Sequence, residues 1–219
     1  MERFKFVFGL LVLAVVLSVS VEANAQRRLI SAREFMLPLS NPAVKIYDKS
    51  RRVESTDETF ANGAVVKLIM IVEEVQLPDN SRYYRKTTAG GLVSEIEVIN
   101  VDYMSYTRKD NGPWTKVDTR GAGSGSGNGS GFDTSRECDQ YSVEEVILNG
   151  RQVHLYEWIL INRDTNELKF SESRRWLGEG SLPYREESVS GKLYPREETN
   201  RRIVTYEYDP AIKIEAPIK

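Results

Sequence analysis

Few side chains in this sequence have the types and spacing that catalysis needs. His154 is the single histidine, and it lies between Val153 and Leu155 in a strand-like run, where a structural role is commoner than a catalytic one. The nucleophile motif Gly-x-Ser-x-Gly does not occur. An exported hydrolase that uses His154 is therefore the weakest of three functional hypotheses.

Cys138 is the single cysteine, so an internal disulfide is impossible. Glu137 and Asp139 flank it, and their negative charges disfavour the reactive thiolate form. One histidine and one cysteine leave zinc without its usual ligands. We predict no metal and no cofactor.

Four glutamate doublets have side chains that point to opposite faces of a strand and cannot act on one substrate. The pairs are Glu73-Glu74, Glu144-Glu145, Glu186-Glu187 and Glu197-Glu198. Glu95 and Glu97 do share a face, opposite Ile96 and Val98, and we interpret that face as solvent-exposed. We therefore predict that the protein is not an enzyme.

The charged residues are balanced, with 30 Lys and Arg against 32 Asp and Glu and a formal net charge of −2. Nucleic-acid binding needs a positive field that such a chain lacks. The arginine doublets, such as Arg174-Arg175, would point to opposite faces of a strand and form no basic patch. We predict no nucleic-acid partner.

Residues 1–25 are typical of a secretory signal peptide. Arg3 and Lys5 precede an apolar run from Phe6 to Val21, and Ala23-Asn24-Ala25 follows as a cleavage site. The run is shorter than the roughly 20 apolar residues of a spanning helix. We predict cleavage between Ala25 and Gln26, a periplasmic or secreted protein, and one β-rich domain over residues 26–219.

Turn residues divide the rest of the chain into short runs rich in Val, Ile, Tyr and Thr, the pattern of antiparallel strands. Asn149-Gly150 is the clearest hairpin turn, Asn62-Gly63 is a strong hairpin signal, and Gly90-Gly91 is a further turn. The predicted strands are Arg51–Phe60, Ala64–Leu77, Ser81–Ala89, Leu92–Ile99, Tyr103–Lys109, Trp114–Asp118, Gln140–Leu148, Gln152–Ile161, Glu167–Leu177, Leu182–Ser190 and Asn200–Tyr208. This indicates a sandwich or barrel of about ten strands.

Three segments qualify this pattern. At the centre of Ala64–Leu77 both the odd-numbered and the even-numbered positions are apolar, which predicts a strand covered on both faces. A short helix is expected from about Ser31, and Pro38 and Pro42 limit its length. Residues 121–131 read GAGSGSGNGSG, whose glycine spacing does not fit a phosphate loop and indicates a flexible insert.

The apolar side chains outnumber what one face of a sheet can hide, so either two sheets pack together or a curved sheet encloses a cavity. Such a cavity would bind an apolar ligand.

Three motifs resemble the exported LolA-like superfamily, which includes lipoprotein carriers and LppX-type lipid-binding proteins. They are the Tyr-x-x-Tyr and Gly-x-Trp hairpin at Tyr103–Trp114, the run WILINRDT at Trp158–Thr165, and Tyr206-x-Tyr208-Asp209 before Pro210. The resemblance implies a mostly β, antiparallel half-barrel whose concave apolar face holds acyl chains. In this sequence Pro38 and Pro42 interrupt the family's long N-terminal helix, so little helix is expected there.

The leading hypothesis is an exported, non-enzymatic protein that binds a lipid, an acyl chain or a lipidated partner such as a lipoprotein, with transient membrane contact. The predicted lining of the groove is Leu68, Met70, Ile96, Val98, Met104, Tyr106, Trp158, Leu160, Phe170, Val204 and Tyr206. Ordinary core packing is the other interpretation of each residue. The alternative function is an envelope protein-interaction module without a ligand cavity.

Overall fold

A computed structural model of the protein describes residues 27–38, 50–61, 63–75, 80–120, 136–164 and 167–218. The predicted signal peptide and the predicted insert at 121–131 lie outside these ranges, as does the side chain of Cys138. No helix in the described ranges has the length and apolar character needed to cross a membrane.

Almost all of the described chain is β-strand, with one short α-helix and a single turn of 3-10 helix at Glu179–Ser181. The elements in chain order are β1 (Arg28–Ile30), α1 (Ala32–Met36), β2 (Arg51–Ala61), β3 (Ala64–Val75), β4 (Asn80–Ala89), β5 (Leu92–Val101), β6 (Met104–Lys109), β7 (Thr115–Asp118), β8 (Arg136–Leu148), β9 (Arg151–Asp164), β10 (Glu167–Leu177), β11 (Pro183–Lys192) and β12 (Glu197–Tyr208).

The strands form one open, curved, antiparallel sheet, which confirms the predicted half-barrel. Its order is β1-β8-β9-β10-β11-β12-β2-β3-β4-β5-β6-β7. Two meanders, β2–β7 and β8–β12, are therefore joined where the last strand pairs with β2. The sheet has 12 strands rather than about ten, partly because β1 is only three residues long and too short for a periodic pattern to reveal.

Turn chemistry fixes the register of the hairpins. Gly90 and Gly91 have φ of 55° and 82°, and Asn149 and Gly150 have φ of 52° and 78°. Positive φ at both central residues is the twist that a two-residue hairpin requires, and glycine and asparagine adopt it at low cost. Both hairpins predicted from these residues are present.

Helix α1 forms where the sequence predicted a short helix from Ser31. The Ser31 side chain accepts a hydrogen bond from the backbone N–H of Glu34, and the Glu34 carboxylate accepts one from the N–H of Ser31, a reciprocal capping box. Phe35 is buried against Tyr141 and Tyr156, with ring centroids 5.1 Å and 6.2 Å away. The helix is thereby fixed to β8 and β9.

The prediction that Ala64–Leu77 is covered on both faces is wrong for its described residues. Val65 and Val66 are 48% and 41% exposed, and no residue of β3 is fully buried. The main contacts of β3 are with its sheet neighbours β2 and β4, and only at its end does Val75 pack against the cluster of Ile99, Tyr106 and Ile214. Neighbouring side chains shield it only in part.

The pairing registers assign each side chain to one of two faces. We call the face that carries Met70, Tyr83 and Ile96 the groove face. We call the opposite face, which carries Glu73, Arg82 and Glu97, the charged face. The segment after β12 packs on the charged face, where Ile214 closes a small core with Ile99 and Tyr106.

Candidate functional site

Most of the predicted lining residues lie on the groove face. They are Leu68, Met70, Ile96, Val98, Trp158, Leu160, Val204 and Tyr206. Met104, Tyr106 and Phe170 lie on the charged face. Tyr106 and Phe170 are buried there, Tyr106 against Ile99 and Phe170 beneath the Arg196 guanidinium at 4.1 Å. These three residues cannot line one surface with the others.

An apolar track runs along the groove face of β3 and β5. It has two apolar rows, Val66, Leu68, Met70 and Val72 on β3 and Leu92, Ile96 and Val98 on β5, and β4 places Tyr83, Arg85, Thr87 and Ala89 between them. At about 3.4 Å per residue, the β3 part is about 20 Å long. Between the strands, the hydroxyl of Tyr83 on β4 lies 3.5 Å from the Met70 sulfur. The inner side chains are half-buried.

The track ends in exposed apolar side chains at the sheet rim. Leu92 on β5 is 80% exposed beside the Gly90-Gly91 turn, and Val66 on β3 is 41% exposed, with Ala89 of β4 between them. Exposed apolar residues that form a continuous surface indicate contact with another apolar partner more strongly than scattered ones do.

Towards the centre of the sheet, the groove face becomes more tightly packed. Val204 is 5% and Ser55 is 3% exposed, and the Ser55 hydroxyl makes no hydrogen bond in the described chain. Farther along β12, burial raises the pKa of Tyr206 to about 12, and the nearby Glu186 carboxylate adds to the shift. Burial likewise raises the pKa of Tyr208 to about 12. Both phenols are therefore neutral at physiological pH.

A groove of ≈ 360 Å³ crosses the same face between β9 and β2. Its floor contains the side chains of Ser171, Ser173, Ser188 and Ser190, and Trp158 forms one wall. We call it the serine groove. Side chains from five neighbouring strands can line one groove only where that face is concave. A second cavity of ≈ 290 Å³ shares Ser173, Ser188 and Arg202 and extends the groove to Val204.

The wall opposite Trp158 is polar and electrically balanced. Arg202 Nε lies 3.5 Å from Asp57 Oδ1. Thr59 donates a hydrogen bond to the Asn200 side-chain oxygen at 3.3 Å. An apolar molecule placed here would cover hydroxyl groups without replacing their hydrogen bonds to water, which costs about 1–3 kcal/mol for each group. The serine groove therefore differs in chemistry from the apolar track.

The charged face carries a row of alternating ion pairs across five strands. It runs from Arg52 through Glu73, Arg82 and Glu97 to Arg108. The Arg108 guanidinium also lies 4.8 Å from the centre of the Trp114 ring. Every carboxylate in the row contacts two cations, so the row holds neighbouring strands together and leaves the groove face as the candidate binding surface.

His154 lies near the start of β9. Its side chain is 51% exposed, and its Nε2 atom is 3.5 Å from Glu145 Oε1. Its ring is tilted against Tyr156 at 6.4 Å. In the described ranges, no three His, Cys, Asp or Glu side chains come together as a metal site would require.

Sequence reasoning missed the serine groove. The available signal was the Ser-x-Ser pair in each of two neighbouring strands, Ser171 and Ser173 on β10 and Ser188 and Ser190 on β11. Small side chains repeated with period two on paired strands produce a depression in one face. Trp158, which was among the predicted lining residues, also lines the serine groove.

No protein-family model and no curated protein matches this chain. Among solved structures, it is similar to the crystal structure of a LolA superfamily protein from Nitrosomonas europaea. The identity is 9%, the match covers 81% of this chain and 92% of that chain, and the TM-score is 0.27. At these values the similarity concerns the fold alone, and only weakly.

Proposed function

We propose that this is an exported, non-enzymatic protein that binds an acyl chain of a lipid or lipidated partner along the apolar track. The observation that carries the proposal is the track itself. The row on β3 is apolar, partly exposed and continuous with the exposed rim at Val66 and Leu92, and the aliphatic Ile96 and Val98 of β5 lie on the same face, beyond Tyr83 and Arg85 of β4. A ligand at this position would shield surface that the described elements leave open to water.

An acyl chain fits this surface energetically. Each methylene removed from water contributes about 0.8 kcal/mol, so several methylenes along the track give firm retention. A bilayer offers equal burial, and the exposed rim provides the place where a chain would pass between protein and membrane. Transient membrane contact at the rim follows from the same proposal.

Lipid extraction and mass spectrometry of the purified protein test the proposal. We expect acyl-bearing molecules in stoichiometric amount with the wild-type protein. We expect their loss from Met70→Glu, which places a carboxylate on the track. Ile71→Glu is the matched control, because Ile71 is the next residue on β3 and faces the other side. Absence of lipid from the wild type, or equal lipid in both variants, would contradict the proposal.

Export rests on the pattern of residues 1–25. We expect N-terminal sequencing of the periplasmic or secreted protein to begin at Gln26. A mature chain that still begins at Met1 would contradict this part of the proposal.

The exposed rim also fits a second function, docking to another envelope protein. Leu92 and Val93, exposed by 80% and 53%, would then contact the partner directly. Cross-linking from Leu92 distinguishes the two functions. A stable protein adduct together with an empty track favours docking, whereas bound lipid without an adduct favours acyl binding.

A further inference from the structure

We propose that the serine groove binds a neutral carbohydrate, with one sugar ring stacked on Trp158. This goes beyond the proposed function, because a saccharide in the groove requires no acyl chain on the track. The groove volume of ≈ 360 Å³ falls in the range typical of small-molecule sites.

The floor of the groove calls for a ligand that is rich in hydroxyl groups. Ser171, Ser173 and Ser190 are partly exposed and Ser188 is exposed, so a molecule in the groove can reach these side chains. Each hydroxyl can donate one hydrogen bond and accept two. A sugar offers several hydroxyls with the same double capacity on a compact ring, and it can satisfy neighbouring serines together.

Trp158 is held so that one side of its indole borders the groove. Its Nε1–H donates a hydrogen bond to Asp139 at 3.0 Å, which fixes the ring edge. On β8, Tyr141 lies nearly parallel to the indole, at 7° and 6.3 Å between centroids. On β10, the cross-strand neighbour is Ser173, which is too small to cover the ring. This leaves an aromatic surface against which the C–H groups of a sugar can pack.

The charge balance favours a neutral ligand over a phosphate or another anion. Arg202 is already paired with Asp57, and the Asn200 amide is held by hydrogen bonds to Thr59 and Thr199. The Asp57 carboxylate repels an anion and lowers the positive potential that it would meet at the Arg202 guanidinium. A neutral polyol can instead accept from Arg202 and donate to Asp57 while the ion pair stays in place.

The test is a titration of the purified mature protein with maltohexaose, cellohexaose and chitohexaose, followed by tryptophan fluorescence and calorimetry. We expect at least one hexasaccharide to bind saturably with a change in tryptophan emission. Trp158→Ala should weaken that binding about tenfold or more. Ser188→Leu should abolish it by filling the floor. Titration with inorganic phosphate under the same conditions should show no binding.

Matched controls make the result specific. Ser105→Leu is the same change on the same face, but on β6 at the other side of the sheet, and Trp176→Ala removes a tryptophan from the charged face. Both should retain hexasaccharide binding. Lack of binding by all three saccharides, phosphate binding instead, or equal affinity in Trp158→Ala and the wild type would overturn the proposal. Fatty-acid binding by Ser188→Leu should persist, so failure of one site is distinguishable from failure of the other.

Discussion

At the residue scale, Ile99 shows how a single-layer sheet obtains a core. It is 1% exposed and packs with Tyr106 and with Ile214 from the segment after β12. Asn80 donates a side-chain hydrogen bond to the Ile214 carbonyl at 3.5 Å, which helps to hold this segment on the charged face. A short stretch of chain thus buries a strand that has no partner layer.

Ile99→Ala should lower the free energy of unfolding by about 2–4 kcal/mol, because it removes buried methylenes and leaves a cavity. Leu92→Ala, at a residue that is 80% exposed, should change it by less than about 0.5 kcal/mol. Urea unfolding followed by circular dichroism measures both. A similar loss in the two variants would show that the Ile99 cluster is not the core of this part of the sheet.

Two tyrosines make stability dependent on alkaline pH. Burial raises the pKa of Tyr206 and of Tyr208 from 10 to about 12. The folded protein therefore keeps phenolic protons that the unfolded chain loses first, so the stability contribution is complete below about pH 10 and falls as pH rises towards 12.

We expect the free energy of unfolding, measured in urea at a series of pH values, to decrease between about pH 10 and 12. The free energy of unfolding of the double variant Tyr206→Phe/Tyr208→Phe should decrease less steeply over the same interval. Parallel curves for the variant and the wild type would mean that these two phenols do not carry the dependence.

At the element scale, the ion-pair row explains how long strands stay aligned on the charged face. The Glu97 carboxylate is 15% exposed and lies between Arg82 and Arg108. Its removal leaves two guanidinium groups facing each other without the anion. Pairs arranged as a network contribute more reliably than isolated surface pairs do.

Glu97→Gln should therefore lower the free energy of unfolding by about 1 kcal/mol at about 0.1 M salt, and by less at about 1 M, where charges are screened. Glu179→Gln, in the exposed turn before β11, is the matched control and should have little effect. The comparison requires only urea unfolding curves at the two salt concentrations. Equal, salt-independent effects of the two substitutions would contradict a role for the row.

The hairpins were predictable because their turn residues act locally. Gly90-Gly91 and Asn149-Gly150 adopt the positive φ that tight hairpins need, whatever the rest of the chain does. The assignment of side chains to faces across the hairpins was harder. A two-residue turn pairs residue i with residue i+3, so an even-numbered residue on one strand faces the same side as an odd-numbered residue on the next.

This change of parity explains the misplaced lining residues. Ile96 pairs with Lys109 rather than lying beside Met104 and Tyr106. Trp158 pairs with Ser173, which sends Phe170 to the opposite face. Within β5, Glu95 and Glu97 do share a face, with Lys86 and Tyr84, but that face is less open to solvent than predicted, because the two side chains are only 25% and 15% exposed. The error arose between strands, where register decides.

At the scale of the whole molecule, two meanders joined through β12 and β2 give one long curved sheet. That pairing brings together residues about 140 positions apart, such as Thr59 and Asn200, and no local pattern predicts it. The serine groove straddles this junction, so it depends on tertiary pairing that sequence periodicity alone does not contain. The apolar track lies within one meander, where hydrophobic alternation could reveal it.

The most direct measurement for the proposed acyl binding is the displacement of a fluorescent fatty acid from wild-type protein and two variants. Ile96→Glu places a carboxylate on the track between Arg85 and Lys109. The two cations can pair with this carboxylate, so we expect the variant to fold. Val93→Glu is the control on the charged face of the same strand. We expect saturable binding by the wild type and by Val93→Glu, and an affinity about tenfold or more lower in Ile96→Glu. No binding by the wild type, or full binding by Ile96→Glu, would contradict an acyl site on the track.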